Sequence, residues 1–159
     1  MKKYELTEEE KELLSRTLYR IRALKDFELL DGAIIHAGDL GGWIEKEDNL
    51  SQEGSAWVSD DARVYGKARV SDEAWVSGEA QVHRTTHVMT FGPAGSRNGT
   101  TTFYRNKNNS ISVTCGCFNG SIDDFLAQVE ITHGDNKHGQ VYRAAAELAK
   151  LQIDLEGEE

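Results

Sequence analysis

Proline, cysteine and long apolar runs are scarce in this chain. It has one proline and two cysteines among 159 residues. It contains no apolar run near the roughly 18 residues that a membrane-spanning helix requires. The opening segment, MKKYELTEEEKELL, turns acidic at once and lacks the apolar centre of a signal peptide. We therefore expect a cytoplasmic protein without a membrane span.

The two cysteines, Cys115 and Cys117, stand two residues apart on a segment with a strand-like pattern. At that spacing their side chains point the same way and are poorly placed for a disulfide. A metal would need further ligands, and no second Cys/His pair has suitable spacing. We interpret both as reduced structural residues and expect no metal site.

Basic residues are in the minority. Lys and Arg number 18 against 27 Asp and Glu, which gives a formal net charge of -9. Nonspecific affinity for nucleic acid comes from neutralising phosphates with Lys and Arg. We therefore expect no direct binding to nucleic acid, whereas a basic partner is compatible with this charge. We expect no cofactor.

What the chain does have is a six-residue spacing in its middle. Alanine recurs at every sixth position, and valine follows each alanine by two. A short fixed period is typical of units that cannot bury their own apolar face and therefore stack on one another. Asp and Gly, which tolerate turn conformations, occupy the expected corners at Asp60, Gly66, Asp72 and Gly78. The spaced residues are Ala56, Ala62, Ala68, Ala74 and Ala80 with Val58, Val64, Val70, Val76, Val82 and Val88.

Three such units would make one turn of about 18 residues, with successive turns about 4.8 Å apart. This spacing places Trp57 over Trp75 and Tyr65 over His83. We expect the small Ala and branched Val side chains to point inward. We assign Trp57, Trp75, Tyr65 and His83 to an interface with a sister subunit, with contact to another partner or internal packing as alternatives.

The sequence pattern divides the chain up to the end of the repeats into two segments. Residues 1–36 have the pattern of an N-terminal cap, with a short helix from Thr7 to about Arg16 and then the alternating strand TLYRIRAL. Residues 37–91 carry the six-residue spacing, and the pair Gly41-Gly42 indicates a tight bend near their start.

Residues 92–153 are expected to form a C-terminal α+β domain. Its pattern predicts a hairpin with strands near 101–105 and 110–116. One helix is expected to begin after Ser121 as its N-cap, and a second helix to cover roughly 138–152. An acidic tail, 154–159, would follow.

The repeat pairs an aliphatic residue with a small residue four positions later, as in Val58/Ala62 and Val64/Ala68. This pattern resembles the hexapeptide-repeat, left-handed β-helix family. The resemblance implies a mainly β fold with α, in which a short left-handed parallel β-helix lies between the N-terminal cap and a C-terminal hairpin with two helices. It also implies a homotrimer.

The wider arrangement resembles small phage and prophage proteins. The runs that carry this resemblance are RTLYRIRALKDF and AGDLGGWIEKEDNLS, then the repeats, then FGPAGSRNGTTTFYR and CGCFNGSIDDF. Proteins of this type often act on host machinery, including bacterial defence systems, and the association carries that expectation to this chain.

The loop GPAGSRNGT is the candidate ligand site. Its backbone N–H groups, its hydroxyls and an arginine could hold a phosphate or a carboxylate. It is not a Walker loop, because no Gly-Lys-Ser/Thr follows. An ordinary domain connection is the alternative. The candidate ligand-binding residues are Ser96, Arg97, Thr101, Tyr104 and Arg105.

Two histidines are candidates for catalysis. Hexapeptide-repeat transferases use an interface histidine as general base, since the imidazole pKa lies near neutrality. His83 and His87 could take that role here with acetyl-coenzyme A as co-substrate. Acyltransferases of this kind usually have longer, interrupted coils, and the repeats here are short and uninterrupted. We therefore expect no catalytic residue and keep the acyltransferase as an alternative.

The leading functional hypothesis is a non-enzymatic phage or prophage accessory protein. It would be a trimer-like scaffold that binds a host factor or a small ligand. Its most concrete form is an inhibitor of bacterial antiviral defence in the host cytoplasm. It would block a nuclease complex, as an anti-CRISPR protein does, or sequester a nucleotide-like signal. A structural component of the virion or of its assembly is a further alternative.

Overall fold

The computed structural model describes residues 2–29, 32–95, 99–116 and 118–155. Within these ranges the chain forms short strands, two single-turn 3-10 helices (Glu47–Asn49 and Thr85–His87) and two α-helices. The elements are β1 (Tyr4–Leu13), β2 (Arg16–Ala23), β3 (Phe27–Glu28), β4 (Ile34–Ile35), β5 (Leu40–Ile44), β6 (Trp57–Val58), β7 (Arg63–Val64), β8 (Trp75–Val76), β9 (Gln81–Val82), β10 (Val88–Ala94), β11 (Gly99–Arg105), β12 (Ile111–Cys115), β13 (Phe118–Ser121), α1 (Ile122–His133) and α2 (Lys137–Gln152).

The N-terminal segment is a long β-hairpin. β1 pairs antiparallel with β2, and Leu14 and Ser15 turn the chain with φ values of 52° and 69°. The predicted helix from Thr7 to about Arg16 is therefore wrong. Its helix-forming glutamates lie on a strand, because pairing with β2 and complete burial of Tyr4 outweigh local propensity.

The central segment pairs at the spacing expected from the sequence. β6 pairs parallel with β8, which sets Trp57 against Trp75, and β7 pairs parallel with β9. The rings of Tyr65 and His83 stack with their centroids 5.0 Å apart. Both predicted stacks are confirmed. The predicted corners also adopt turn conformations, with φ between 58° and 68° at Asp60, Gly66, Asp72 and Gly78.

These parallel pairs do not form one continuous coil, and the predicted left-handed parallel β-helix is wrong. Each pair is two residues long, and the pairs are distributed over separate small sheets. The largest sheet is mixed, with the order β1-β2-β5-β7-β9, because the antiparallel hairpin adds to the parallel strands through β5. The described residues close no solenoid, and the antiparallel hairpin lies at one edge of the parallel-paired strands.

The spaced Ala and Val residues form the main core. Those from Ala56 to Val82 are all at most 2% exposed. Val88, the last of the series, is only partly buried. The prediction that they point inward is confirmed for these buried positions. Small and branched side chains fit here because the paired strands approach one another closely.

The C-terminal part is an antiparallel sheet covered by two helices. β10, β11, β12 and β13 pair in chain order, and α1 and α2 pack on a second core. The predicted hairpin corresponds to β11 and β12, and both predicted helices are present. Ser121 caps α1 as predicted, because its hydroxyl accepts the N–H of Asp124 at 3.0 Å.

The parallel-paired strands β5 to β9 are called the ladder below. The second sheet is hydrogen-bonded to this ladder at Trp75. The Thr102 hydroxyl accepts the Trp75 N–H at 3.2 Å, and the Thr114 hydroxyl donates to the Trp75 carbonyl at 2.7 Å. Nη1 of Arg105 donates to the Gln81 carbonyl at 2.9 Å. We call these three bonds the seam.

The expected division of the chain crosses observed elements. β10 runs through the predicted boundary at residue 91, and the two cores divide between Val88 and Met89. Of the predicted tail 154–159, only 154–155 belong to the described residues, where Asp154 binds Arg84. No helix in the described ranges is long and apolar enough to cross a membrane.

Candidate functional site

The outer face of the five-stranded sheet gathers arginines around a tryptophan. Arg20 of β2 lies opposite Trp43 of β5, and Trp43 lies opposite Arg63 of β7. Side chains alternate across a strand, so these three point away from the core that Ile44 and Val64 enter. We call this surface the cation–aromatic face; it comprises Lys11, Arg16, Leu18, Arg20, Arg22, Trp43, Arg63 and Tyr65.

The Trp43 indole is held between cations. The Nζ of Lys11 lies 4.5 Å and the guanidinium carbon of Arg20 lies 4.6 Å from the ring centroid. Only 4% of Trp43 is exposed. Its Nε1 and the Nε of Arg20 are buried and have no hydrogen-bond partner in the described part of the chain. Both N–H groups are closed to solvent, so the face presents its cations rather than these two donors at the surface.

Tyr65 forms a second aromatic position beside the first. The Arg16 guanidinium lies 5.6 Å from its ring centroid and is paired with Glu45 at 2.9 Å. Tyr65, Trp43 and Leu18 pack as a separate small core beneath these cations. The rings therefore support the arginines rather than face solvent themselves.

The charges on this face are incompletely paired. Arg22 pairs with Glu5, and Arg20 lies 3.6 Å from Asp61. Lys11 and Arg63 form no ion pair with any described residue. In a chain of net charge -9, this face therefore concentrates positive charge.

Of the predicted ligand-binding residues, Ser96 and Arg97 lie outside the described residues. Thr101, Tyr104 and Arg105 are at most 9% exposed and engage internal groups. The Thr101 hydroxyl lies 3.2 Å from Cys115 Sγ, the Tyr104 hydroxyl lies 3.3 Å from that of Ser77, and Arg105 belongs to the seam. The structure does not bring these three together as an open anion site.

The predicted interface residues are largely covered within the chain. Trp57 and Tyr65 are each 1% exposed and His83 is 9% exposed. The indole of Trp57 packs edge-on against Tyr4 and Phe27. Trp75 is only partly buried. The subunit interface stays a prediction, for which Trp75 offers the most surface.

His87 has a structural role in the second 3-10 turn. Its Nδ1 accepts the backbone N–H groups of His83 and Arg84 at 3.1 and 3.2 Å. Burial, together with the charges of His83, Arg105 and Arg84, lowers the pKa of His87 to about 4. The proton must then reside on Nε2, so neither nitrogen of His87 has a lone pair available to act as a base in this arrangement. The His83 ring is stacked on Tyr65 and meets His87 edge-on at 4.5 Å.

Of the two cysteines, Cys115 is a free, partly buried thiol and Cys117 lies outside the described residues. The Sγ of Cys115 lies 3.8 Å from the Tyr142 hydroxyl. Burial, with the neighbouring thiol, raises the pKa of Tyr142 to about 12. Among the described residues no group of three or more His, Cys, Asp or Glu is placed to hold a metal.

A separate cleft of about 160 Å³ opens beside the ladder, between the corner at Arg69 to Ala74 and the start of β10. It is lined by Arg69, Ser71, Ala74, Thr85, Val88 and Thr90.

Comparisons of the chain with protein-family models, with curated proteins and with solved structures give no match.

Sequence reasoning missed the cation–aromatic face although signals for it were present. The alternation of Leu18, Arg20 and Arg22 on one side of a strand is visible in TLYRIRAL. What the sequence did not reveal is that this hairpin pairs with β5, because that contact joins segments about twenty residues apart with a bulge in the register.

Proposed function

We propose that this chain is a non-enzymatic binding protein that holds an acidic partner protein on the cation–aromatic face. The observation that carries the proposal is the group of cations on that face, with Lys11 and Arg20 packed over the Trp43 ring. The unpaired charges of Lys11 and Arg63 on either side would attract such a partner.

The chemistry of the face suits a protein partner better than a long nucleic acid. Arginines packed on aromatic rings are typical of residues that dominate the energy of protein interfaces. The net charge of -9 repels an extended polyanion beyond the few residues of this face. A short acidic segment of a protein avoids most of that repulsion.

The narrower form of the proposal is a phage or prophage accessory protein that inhibits bacterial antiviral defence in the host cytoplasm. The resemblance in sequence to such proteins supports it. A homotrimer would present the face three times and raise the apparent affinity by multivalency. Light scattering on the purified chain tests that assembly: three times 17.7 kDa is expected, and a monomer would contradict it.

The binding proposal is tested with the purified full chain as bait in bacterial lysate, followed by affinity measurement on the captured protein. The double variant Arg20→Gln/Arg63→Gln should weaken binding at least about tenfold, because each arginine meets a carboxylate in the complex. Arg143→Gln, which removes an arginine of α2 paired with Glu130, serves as control and should bind normally.

Trp43→Phe sharpens the test. Phenylalanine keeps an aromatic ring beneath Lys11 and Arg20 but is a weaker cation–π partner than the indole. We expect the affinity to fall, because the phenyl ring positions the two cations less strongly. Equal affinity of the wild type and both variants, or capture of nucleic acid in place of an acidic protein, would refute the proposal.

A further inference from the structure

The cleft beside the ladder is built from two segments distant in sequence. Arg69, Ser71 and Ala74 come from the central segment, and Thr85, Val88 and Thr90 come from the second 3-10 turn and β10. Its volume of about 160 Å³ is roughly tenfold what a single water needs. It therefore has room for a small molecule.

Most polar groups of this cleft are not used inside the chain. Nη1 of Arg69 donates to the Asp48 carbonyl at 3.1 Å, and Arg69 forms no ion pair with a described residue. Within the described residues, the hydroxyls of Ser71, Thr85 and Thr90 make no side-chain hydrogen bond. No carboxylate lines the cleft. The other N–H donors of Arg69 and three hydroxyls thus remain available to a ligand.

These groups define the ligand by its chemistry. A guanidinium donates through a planar fork that fits a phosphate, and three separate hydroxyls can reach the remaining oxygens of a tetrahedral group. Ala74 and Val88 add an apolar wall that suits a short carbon chain. We propose that this cleft binds the phosphate group of a small phosphomonoester, with Arg69 as the charged anchor. The site is independent of the cation–aromatic face.

The proposal is tested by titrating the full chain with inorganic phosphate and with glycerol phosphate while following backbone amide NMR signals. Saturable shifts are expected at Thr85, Val88 and Thr90, with the ester binding more tightly than inorganic phosphate because it also contacts the apolar wall. Acetate, which offers two oxygens, should bind more weakly than either.

Matched variants locate the site. Arg69→Gln should weaken phosphate binding about tenfold or more, the effect of one charge-assisted hydrogen bond. Thr85→Val keeps the shape of the side chain and should weaken binding a few-fold, which preserves the test if Arg69→Gln alters folding. Arg143→Gln, on α2, should leave phosphate binding unchanged. Absence of saturable shifts, equal response to acetate, or equal binding by all variants would overturn the proposal.

Discussion

At the scale of single residues, Asn49 and His87 hold two 3-10 turns in the same way. Each is the last residue of its turn, and each accepts two backbone N–H groups with one side-chain atom: Asn49 those of Glu45 and Lys46, His87 those of His83 and Arg84. The two side chains differ in the partners of their other polar atom. Nδ2 of Asn49 donates to the carbonyls of Gly66 and Ala68, whereas Nε2 of His87 has no acceptor among the described residues.

This equivalence predicts which substitution His87 tolerates. His87→Ala removes both acceptor bonds and leaves a cavity, and should lower the free energy of unfolding by about 2–4 kcal/mol. His87→Asn restores the acceptor and should recover part of that loss. Urea denaturation followed by circular dichroism measures both. Equal stability of the two variants would show that the hydrogen bonds at Nδ1 contribute little.

His87 also gives the fold a dependence on pH. Its pKa is lowered to about 4 in the folded chain, against about 6.5 when unfolded. As the pH falls from 6.5 towards 4, the unfolded chain takes up this proton before the folded chain does. Stability is therefore lost in that window, by up to about 3 kcal/mol, and is fully present above pH 6.5.

The measurement is urea denaturation at several pH values, for the wild type and for His87→Asn. The variant cannot take up this proton, so the difference between the two curves isolates His87 from the carboxylates that titrate nearby in pH. Parallel curves from pH 6.5 down to 4 would contradict the assignment.

At the scale of elements, the glycine pair of β5 is required by close approach. The sequence suggested a bend at Gly41-Gly42, but both residues lie within the strand. A Cβ at Gly42 would stand 2.7 Å from the Ala62 carbonyl oxygen and 2.7 Å from a methyl of Val58. We expect Gly42→Ala to destabilise the chain by about 1–3 kcal/mol, because backbone must move to admit it.

Gly99 of β11 provides the matched control for that substitution. A Cβ at Gly99 meets nothing within 4 Å, and its φ is not positive. Gly99→Ala should therefore be neutral or slightly stabilising in thermal denaturation. If Gly42→Ala is as stable as Gly99→Ala, the close packing of β5 on the central segment is wrong.

The sequence predicted those elements that are determined by residues close to them in the chain. The hairpin of β11 and β12 and the start of α1 depend on neighbouring residues such as Ser121, and both were predictable. The segment TEEEKELL has a helical pattern by propensity, yet it forms β1 because β2 lies beside it. On α2, Leu148 and Leu151 are 51% and 85% exposed, because the second core is filled from this helix by smaller alanines and Tyr142.

The candidate sites were less predictable for the same reason. The cation–aromatic face and the phosphate cleft each join segments brought together only by the tertiary fold, as Arg20 and Arg63 or Arg69 and Thr85 illustrate. The six-residue spacing did predict the buried Ala and Val positions. It did not predict where the parallel pairing would stop, because the hairpin that ends it has no six-residue pattern.

At the scale of the whole molecule, the two cores can be observed separately. All three tryptophans, Trp43, Trp57 and Trp75, lie in or beside the ladder, and both α-helices belong to the C-terminal part. Tryptophan fluorescence thus reports the first core, and circular dichroism at the helical band reports the second. Because the seam joins them, we expect the two signals to change together during unfolding.

Weakening the seam should separate these transitions. Thr114→Val removes the hydrogen bond to the Trp75 carbonyl and costs about 1–3 kcal/mol, since that carbonyl loses its partner in the seam. The midpoints by fluorescence and by circular dichroism should then diverge. Thr132→Val, at an exposed position of α1, is the control and should keep them coincident. Coincident midpoints in Thr114→Val would show that other contacts couple the cores.

The way the largest sheet ends has a consequence for self-association in cells. Its last strand, β9, is only two residues long; Arg105 occupies the Gln81 carbonyl, and Asn106 bridges to Ala80 just before the strand. An open strand edge is a template on which other chains add, whereas this edge is already occupied by the same molecule. The C-terminal part thus shields this edge from other chains, and we expect its removal to favour self-association.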